Sequence, residues 1–400
     1  MPSGWELKKL DELADIKGGK RVPKGYSLRK ERTNYPYIRV TDFSNGTVSL
    51  SDIHYIDEAI HRKIANYTIS QEDLYISVAG TLGLVGKIPK ELDGASLTEN
   101  ANKITNIKID RDFLLYYLQS QKIQNEIDSL KTTNAQPKLA LTRIREFKIA
   151  VPPKNEQEKI AKILSTWGQA TEKYSVILRK KEQKYQISLN EIFGKSKVNT
   201  SWLESSLESV SLKITDGAHS SPPSVDGGRP MLSVKDMREF EFDLSQPRLI
   251  GEKHYQELVN LGCKPEVGDV LIAKDGSVLK YIFEVKQPVE AVLLSSIAII
   301  RPNPNLINPS FLAHFFRRDN FKEYVRRELT SGSGVPRIVL RDFRRIKIHV
   351  PDLPTQRKMV GLLDAFILEI SLTRKIIDLL KNQKRGLMQH LLTGKKRVKA

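Results

Sequence analysis

One cysteine, Cys263, stands in a chain of 400 residues. It can close no intramolecular disulfide, so a bridge-stapled extracellular scaffold is excluded and a reducing compartment is expected. The seven histidines are scattered from His54 to His390 without metal-ligand spacing, so no zinc framework and no metal site are expected. Long apolar runs are missing as well. "AVLLSSIAII", from Ala291, is about half of the roughly 20 residues that a membrane span requires, and "MPSGWELKKL" has no apolar stretch behind a basic start. A soluble, cytoplasmic protein is expected.

Catalytic signatures are also absent. "GTLGLVGKI" contains Gly86-Lys87, but Ile88 stands where a phosphate-binding loop needs Ser or Thr, and Thr81 stands where it needs Gly. Gly80, Gly83 and Gly86 are spaced by threes, which is not a dinucleotide fingerprint but fits turn glycines after a strand. "VPPK" at Val151 lacks the Asn and the aromatic of the loop with which adenine methyltransferases hold a flipped base. Pro351-Asp352 has no Glu-x-Lys after it, as a nuclease would need. No catalytic residue is assigned.

Acidic residues are few relative to basic ones. Lys and Arg total 65 against 47 Asp and Glu, a formal charge of +18, which points to a polyanionic partner.

What the chain does contain, it contains twice. "PKLALTRIREFKIAVP" at 137–152 returns as "PRIVLRDFRRIKIHVP" at 336–351. "WELKKLDEL" at Trp5 faces "WLESSLESV" at Trp202, "DLYISVAGT" at Asp73 faces "DVLIAKDGS" at Asp269, and "GKSKV" at Gly194 faces "GKKRV" at Gly394. Offsets that drift only from 196 to 200 mean a duplicated unit with small loop insertions. Each unit opens with about 150 residues of short β-branched runs between Gly, Pro, Asn and Asp turns, which reads as an irregular α+β domain. About 40 residues nearly free of Gly and Pro follow, which reads as a long helix.

Ile160, Leu164, Trp167, Thr171, Tyr174 and Leu178 in the first helix, and Met359, Leu363, Phe366, Ile370, Thr373, Ile377 and Leu380 in the second, alternate at three- and four-residue spacing, the pattern of a coiled-coil seam. Forty residues at about 1.5 Å rise extend about 60 Å, further than one such domain can cover. The fold expected is α+β: two duplicated domains joined by two long antiparallel coiled-coil helices, with pseudo-two-fold symmetry. The expected boundaries are domain 1 at 1–152, spacer helix 1 at 153–195, domain 2 at 196–351 and spacer helix 2 at 352–396.

The basic excess gathers on the doubled phrase. Five basic residues against one acid lie from Lys131 to Lys148, and seven against two from Arg326 to Lys347. Small polar loops precede each copy, "TTNAQ" and "SGSG", of a kind that can approach a phosphate backbone closely. Candidate contacts to such a backbone are Thr132, Thr133, Asn134, Gln136 and Lys138, and Ser331, Ser333 and Arg337. In the turns that combine glycine with Arg, Lys, Asp or His, the candidates are Lys17, Gly18, Lys20, Arg21, Arg39, Thr41 and Asp42 in the first domain. In the second domain they are Asp216, His219, Lys235, Asp236, Lys274, Asp275 and Ser277.

With the doubled phrase, the Gln157 and Gln356 that follow it in "PPKNEQEKIAKIL" and "PDLPTQRKMVGLL", and the ending "GLMQHLLTGKKRV", the chain resembles the specificity subunit of type I restriction-modification systems over essentially its whole length. The resemblance implies two target-recognition domains, each reading one half of a split, asymmetric site in double-stranded DNA. It implies helices that space the domains and dock two modification (methyltransferase) subunits, joined by restriction and motor subunits. The chain itself would be non-catalytic and carry no cofactor, with S-adenosylmethionine bound by the adenine methyltransferase partners. The rival readings are a divergent DNA methyltransferase and a stand-alone DNA-binding regulator.

Overall fold

The computed structural model describes residues 2–44, 46–129, 138–194, 202–330 and 336–398. Thr132, Thr133, Asn134, Gln136, Ser331 and Ser333 lie outside them. The chain divides into two compact units. One holds the residues up to Ser175 together with those from Lys375 onward, and the other holds Val176–Arg374. Compactness thus cuts the chain otherwise than at 152, 195 and 351: each unit takes one α+β head, half of its own long helix and half of the other.

In the first unit, Asp15–Gly18, Ala101–Thr105, Leu74–Ser77 and Val85–Lys87 form an antiparallel sheet in that order. In the second, Ser211–Asp216, Ile297–Pro302, Val270–Ala273 and Ile282–Glu284 form the same sheet in the same order. Register is kept too. Gly18 faces Asn102 and Asn102 faces Ile76, just as Asp216 faces Ala298 and Ala298 faces Ile272. Both central strands, "LYIS" and "VLIA", are buried at every position, so they are continuously apolar rather than alternating.

The doubled phrase builds the same junction in each unit. A short helix (Leu141–Arg145, Leu340–Arg345) leads into a strand (Lys148–Val151, Lys347–Val350) that pairs antiparallel with the unit's first strand, Glu6–Lys9 or Leu203–Ser206. The long helices start just beyond, at Lys154–Phe193 and Leu353–Leu391. Asp352 starts the second by accepting the Thr355 N–H at 2.9 Å and its hydroxyl at 2.8 Å. Those bonds, the backbone one foremost, hold the Asp352 carboxyl below its usual range.

Gln157 and Gln356 explain their place in the repeat. Each is buried; each donates from Nε2 to the carbonyl of the last proline of the phrase, Pro152 at 2.8 Å or Pro351 at 2.7 Å. Each also accepts the backbone N–H that starts a head helix, from Asp110 at 2.8 Å or Asn308 at 2.7 Å. Asp110 and Asn308 in turn cap their helices by accepting from Phe113 and Phe311. One side chain therefore locks strand exit, long-helix start and head helix together.

Within the second unit the long helices run antiparallel, since Lys181 pairs with Glu369 at 2.9 Å while Tyr185, one turn on, lies 6.4 Å ring to ring from Phe366, one turn back. Seam positions are shared with the heads rather than reserved for helix pairing. Ile160 and Leu164 belong to the core of the first head, together with Phe113, Phe147, Leu391 and Leu392. Leu363 and Ile370 belong to that of the second, with Met359, Phe366 and Leu178 packed against it. Ile377 is buried, and Trp167, Tyr174 and Leu380 are half-buried. Tyr185, Leu189 and Phe193 extend the buried stripe beyond Leu178, where the sequence reading stopped. Among the described residues, no helix is long and apolar enough to cross a membrane, and no group of His, Cys, Asp and Glu could hold a metal ion.

Candidate nucleic-acid interface

In the second unit six predicted residues converge at one end of the sheet. Lys274, at the end of its central strand, reaches Asp216 Oδ2 at 3.3 Å and Asp275 Oδ1 at 3.4 Å. Asp216 also meets His219 Nε2 at 3.1 Å, and Asp275 receives Arg337 Nε at 3.1 Å. Backbone bonds close the cluster: Gly276 N–H donates to Pro336 O at 2.9 Å, and Ile338 N–H to Lys274 O at 3.0 Å. Ser277, half-buried, donates its N–H to Asp275 O at 2.7 Å. Exposure divides the cluster into base and tip. The Lys274 and Asp216 side chains are 6% and 9% exposed, whereas His219 and Arg337 are 78% and 58% exposed.

In the first unit a cleft of about 530 Å³ brings together Arg21, Arg39 and Thr41 with Tyr26, Glu99 and Asn100. Arg39 is not free to contact a ligand. Its guanidinium donates to both Asp42 oxygens, at 3.2 and 2.6 Å, and to Asp52 O at 2.8 Å, and it lies 3.3 Å from His54 Nε2. Arg21, by contrast, is held among the described residues at Nε alone, by Glu99 Oε1 at 2.6 Å. Lys17 and Lys20 are exposed on the strand and its exit; Lys17 lies 3.8 Å from Asp15, and Lys20 lies 5.6 Å from the centre of the Tyr67 ring. Lys138 is exposed.

Two of the turns are one device used twice. Val40–Asp42 and Val234–Asp236 are single turns of 3₁₀ helix, and in each the terminal Asp accepts the N–H of the residue before the turn, from Arg39 or Ser233, at 2.7 Å. Asp42 and Asp236 are therefore turn-holders, and the exposed middle residue, Thr41 or Lys235, is the one presented outward.

Asp42 and Lys274 are 4% exposed and the Asp216 side chain 9%, because their partners lie within the head rather than at a loop tip. Gly18 is half-buried within a strand. Sequence reasoning missed Glu99, Tyr26, Asp52 and His54. Glu99 lies 78 residues from Arg21, a separation over which no local pattern signals a pair.

Missed too was a buried chain in the second unit. Tyr185 Oη lies 2.7 Å from His314 Nδ1, His314 Nε2 lies 2.9 Å from Asp364 Oδ1, and Asp364 receives Lys286 at 3.0 Å. Burial pushes His314 down to about 4. Asp364 falls to about 2: burial opposes this, but its bonds to His314 and Lys286 outweigh it.

A duplicated α+β head whose two copies share a backbone and differ in the charged side chains at their ends is an arrangement suited to recognition. Residues 2–178 and 200–382 match the type I restriction modification DNA specificity domain, and the chain belongs to that family. Specificity subunits of these systems are non-catalytic; the catalytic activities lie in partner subunits. Over its whole length the chain is 26% identical to a putative type I restriction enzyme specificity subunit of Methanocaldococcus jannaschii, covering 95% of that protein. It is 23% identical to a putative counterpart of Haemophilus influenzae, over 90% of this chain and 87% of that one. The crystal structure of a type I restriction-modification S subunit from M. genitalium superposes with a TM-score of 0.56 at 18% identity, over 97% of this chain and 96% of that one, which shows a shared fold. DNA and other restriction-modification subunits are its partners.

Proposed function

We propose that this chain reads a split, asymmetric DNA target, one part with each head, and that it docks two methyltransferase subunits, which carry S-adenosylmethionine, and through them the restriction and motor subunits. The carrying observation is that the two heads share sheet order and register, while the exposed groups at matching stations differ: Arg21 against His219, Lys138 against Arg337, Thr41 against Lys235. A common backbone with divergent tips suits two readers of unlike half-sites. The net charge of +18 supplies the non-specific attraction to phosphate. Exposed Leu362, Leu368 and Leu372 on the second long helix offer an apolar face of the kind that subunits cover.

The test replaces residues 1–150 with the matching region of another specificity subunit and maps methylated adenines in the host genome. One half of the site should change and the other should stay. A change in both halves, or in neither, overturns the assignment. The purified chain alone should bind no S-adenosylmethionine in calorimetry.

A further inference from the structure

Reading a guanine in the major groove requires an arginine fork held so that its two terminal nitrogens point outward together. A flexible arginine offers only a charge; one whose Nε is fixed by a carboxylate offers an oriented fork. Each head contains such a residue. Arg21 gives its Nε to Glu99 Oε1 at 2.6 Å, and Glu99 is itself fixed by the Thr98 hydroxyl on its other oxygen at 3.0 Å. Arg337 holds its Nε 3.1 Å from Asp275 Oδ1 in an ion pair, and Asp275 is backed by the buried Lys274. Both forks are exposed, at 78% and 58%, and among the described residues neither has a hydrogen-bond partner for its terminal nitrogens. Arg39 is the contrast: its Nη2 is taken by Asp42 and Asp52, and its Nη1 lies against His54.

We propose that Arg21 and Arg337 each read a guanine, one in each half of the target, with Glu99 and Asp275 as their positioning residues. This rests on the reading of the chain as a DNA-recognition subunit and adds the base identity and the residues that discriminate it. The two forks sit at different stations, Arg21 matching His219 and Arg337 matching Lys138, so the two guanines fall at different places within their half-sites.

The experiment assembles the full chain with its methyltransferase subunits and lets it methylate a library of duplexes randomised at every position, followed by sequencing of the methylated products. Arg21→Ala should relax preference at one G·C pair of one half-site by about 5- to 150-fold, the discrimination a bidentate arginine supplies. The other half-site should be unchanged, which also shows that the variant is folded. Arg337→Ala should do the converse. Arg21→Lys keeps the charge without the fork and should restore overall affinity but only part of the preference at that position; if Arg21→Ala weakens binding alike for every base there, Arg21 contacts phosphate only and the proposal fails. Glu99→Ala should weaken preference at the Arg21 position alone, while Glu99→Gln, which keeps an acceptor, should largely retain it. Uniform loss across all targets, with no change in base preference, overturns the proposal. A wild-type assembly that selects no sequence would instead overturn the DNA-reading function itself.

Discussion

Where the second head carries Asp216 and Lys274, the first carries Gly18 and Val78. The stations match by register and by backbone bonding, since Leu139 N–H donates to Val78 O as Ile338 N–H does to Lys274 O, both at 3.0 Å. Val78 is 6% exposed and Lys274 4%, so a buried methyl-bearing side chain and a buried ammonium occupy one site in one backbone. The fold tolerates either, provided the charge comes with its counter-ion. Variation between the heads thus extends beneath the surface, in coupled pairs, and the buried pair sets how the tips above it are held.

The largest effect should come from breaking that pair. Lys274→Ala leaves Asp216 sealed without its cation and should lower the unfolding free energy by about 3 to 5 kcal/mol in urea titration. The double variant Asp216→Gly, Lys274→Val rebuilds the first head's solution and should recover most of that loss. A single variant as stable as the parent would show that the ion pair is ornamental.

Leu164→Ala and Leu363→Ala come next. Both leucines are fully buried where a long helix meets its head, and each truncation should cost about 2 to 5 kcal/mol. Similar losses at the two would support equivalent junctions; a several-fold disparity in denaturation midpoint shift would break the equivalence.

A pH experiment separates the units further. Tyr116 is the counterpart of His314, and Lys384, whose ammonium sits 4.8 Å from the Tyr116 ring centre, is the counterpart of Tyr185. Burial lowers His314 to about 4, against an ordinary value near 6.5, despite Asp364 beside it; Arg317 and Lys286, also nearby, act in the same direction as burial. The unfolded chain then binds more protons between about pH 6.5 and 4, so stability of the second unit is fully present above that window and falls through it by about 3 kcal/mol. Burial pushes the Tyr116 hydroxyl up to about 12, so it contributes nothing in the same range. Urea unfolding at pH 7 and pH 4.5 should show the slope, and His314→Gln should flatten it; an unchanged slope would clear His314 of the effect.

The smallest effect sharpens the likeness rather than the difference. Gln157→Ala and Gln356→Ala each strand a buried backbone donor and acceptor and should each cost about 2 kcal/mol. Thermal melts that shift alike would show that the two junctions are energetically the same.

The duplication, the heads and the long helices were legible because they rest on order, spacing and the near-absence of Gly and Pro over 40-residue stretches. At the tips, sequence marked the turns that carry Arg21, His219, Asp275 and Arg337, all of them near one end of a head's sheet. It could not say which polar groups face inward. Arg39 and Lys274 have the same composition as a reader, and only partners from distant strands, such as Asp52 and Asp216, decide that they are internal. The Tyr185–His314–Asp364 chain was invisible for the same reason, as its members stand 129 and 50 residues apart.

The Gln157 and Gln356 junctions have a genetic consequence. Their buried bonds run to backbone atoms, to the carbonyl of a proline and the N–H of a helix start, and depend little on which side chains surround them. A crossover between two related genes within the doubled phrase therefore joins a foreign head to a resident helix and finds every bond of the junction already in place. Whole heads can be exchanged in one recombination event without passing through unfolded intermediates.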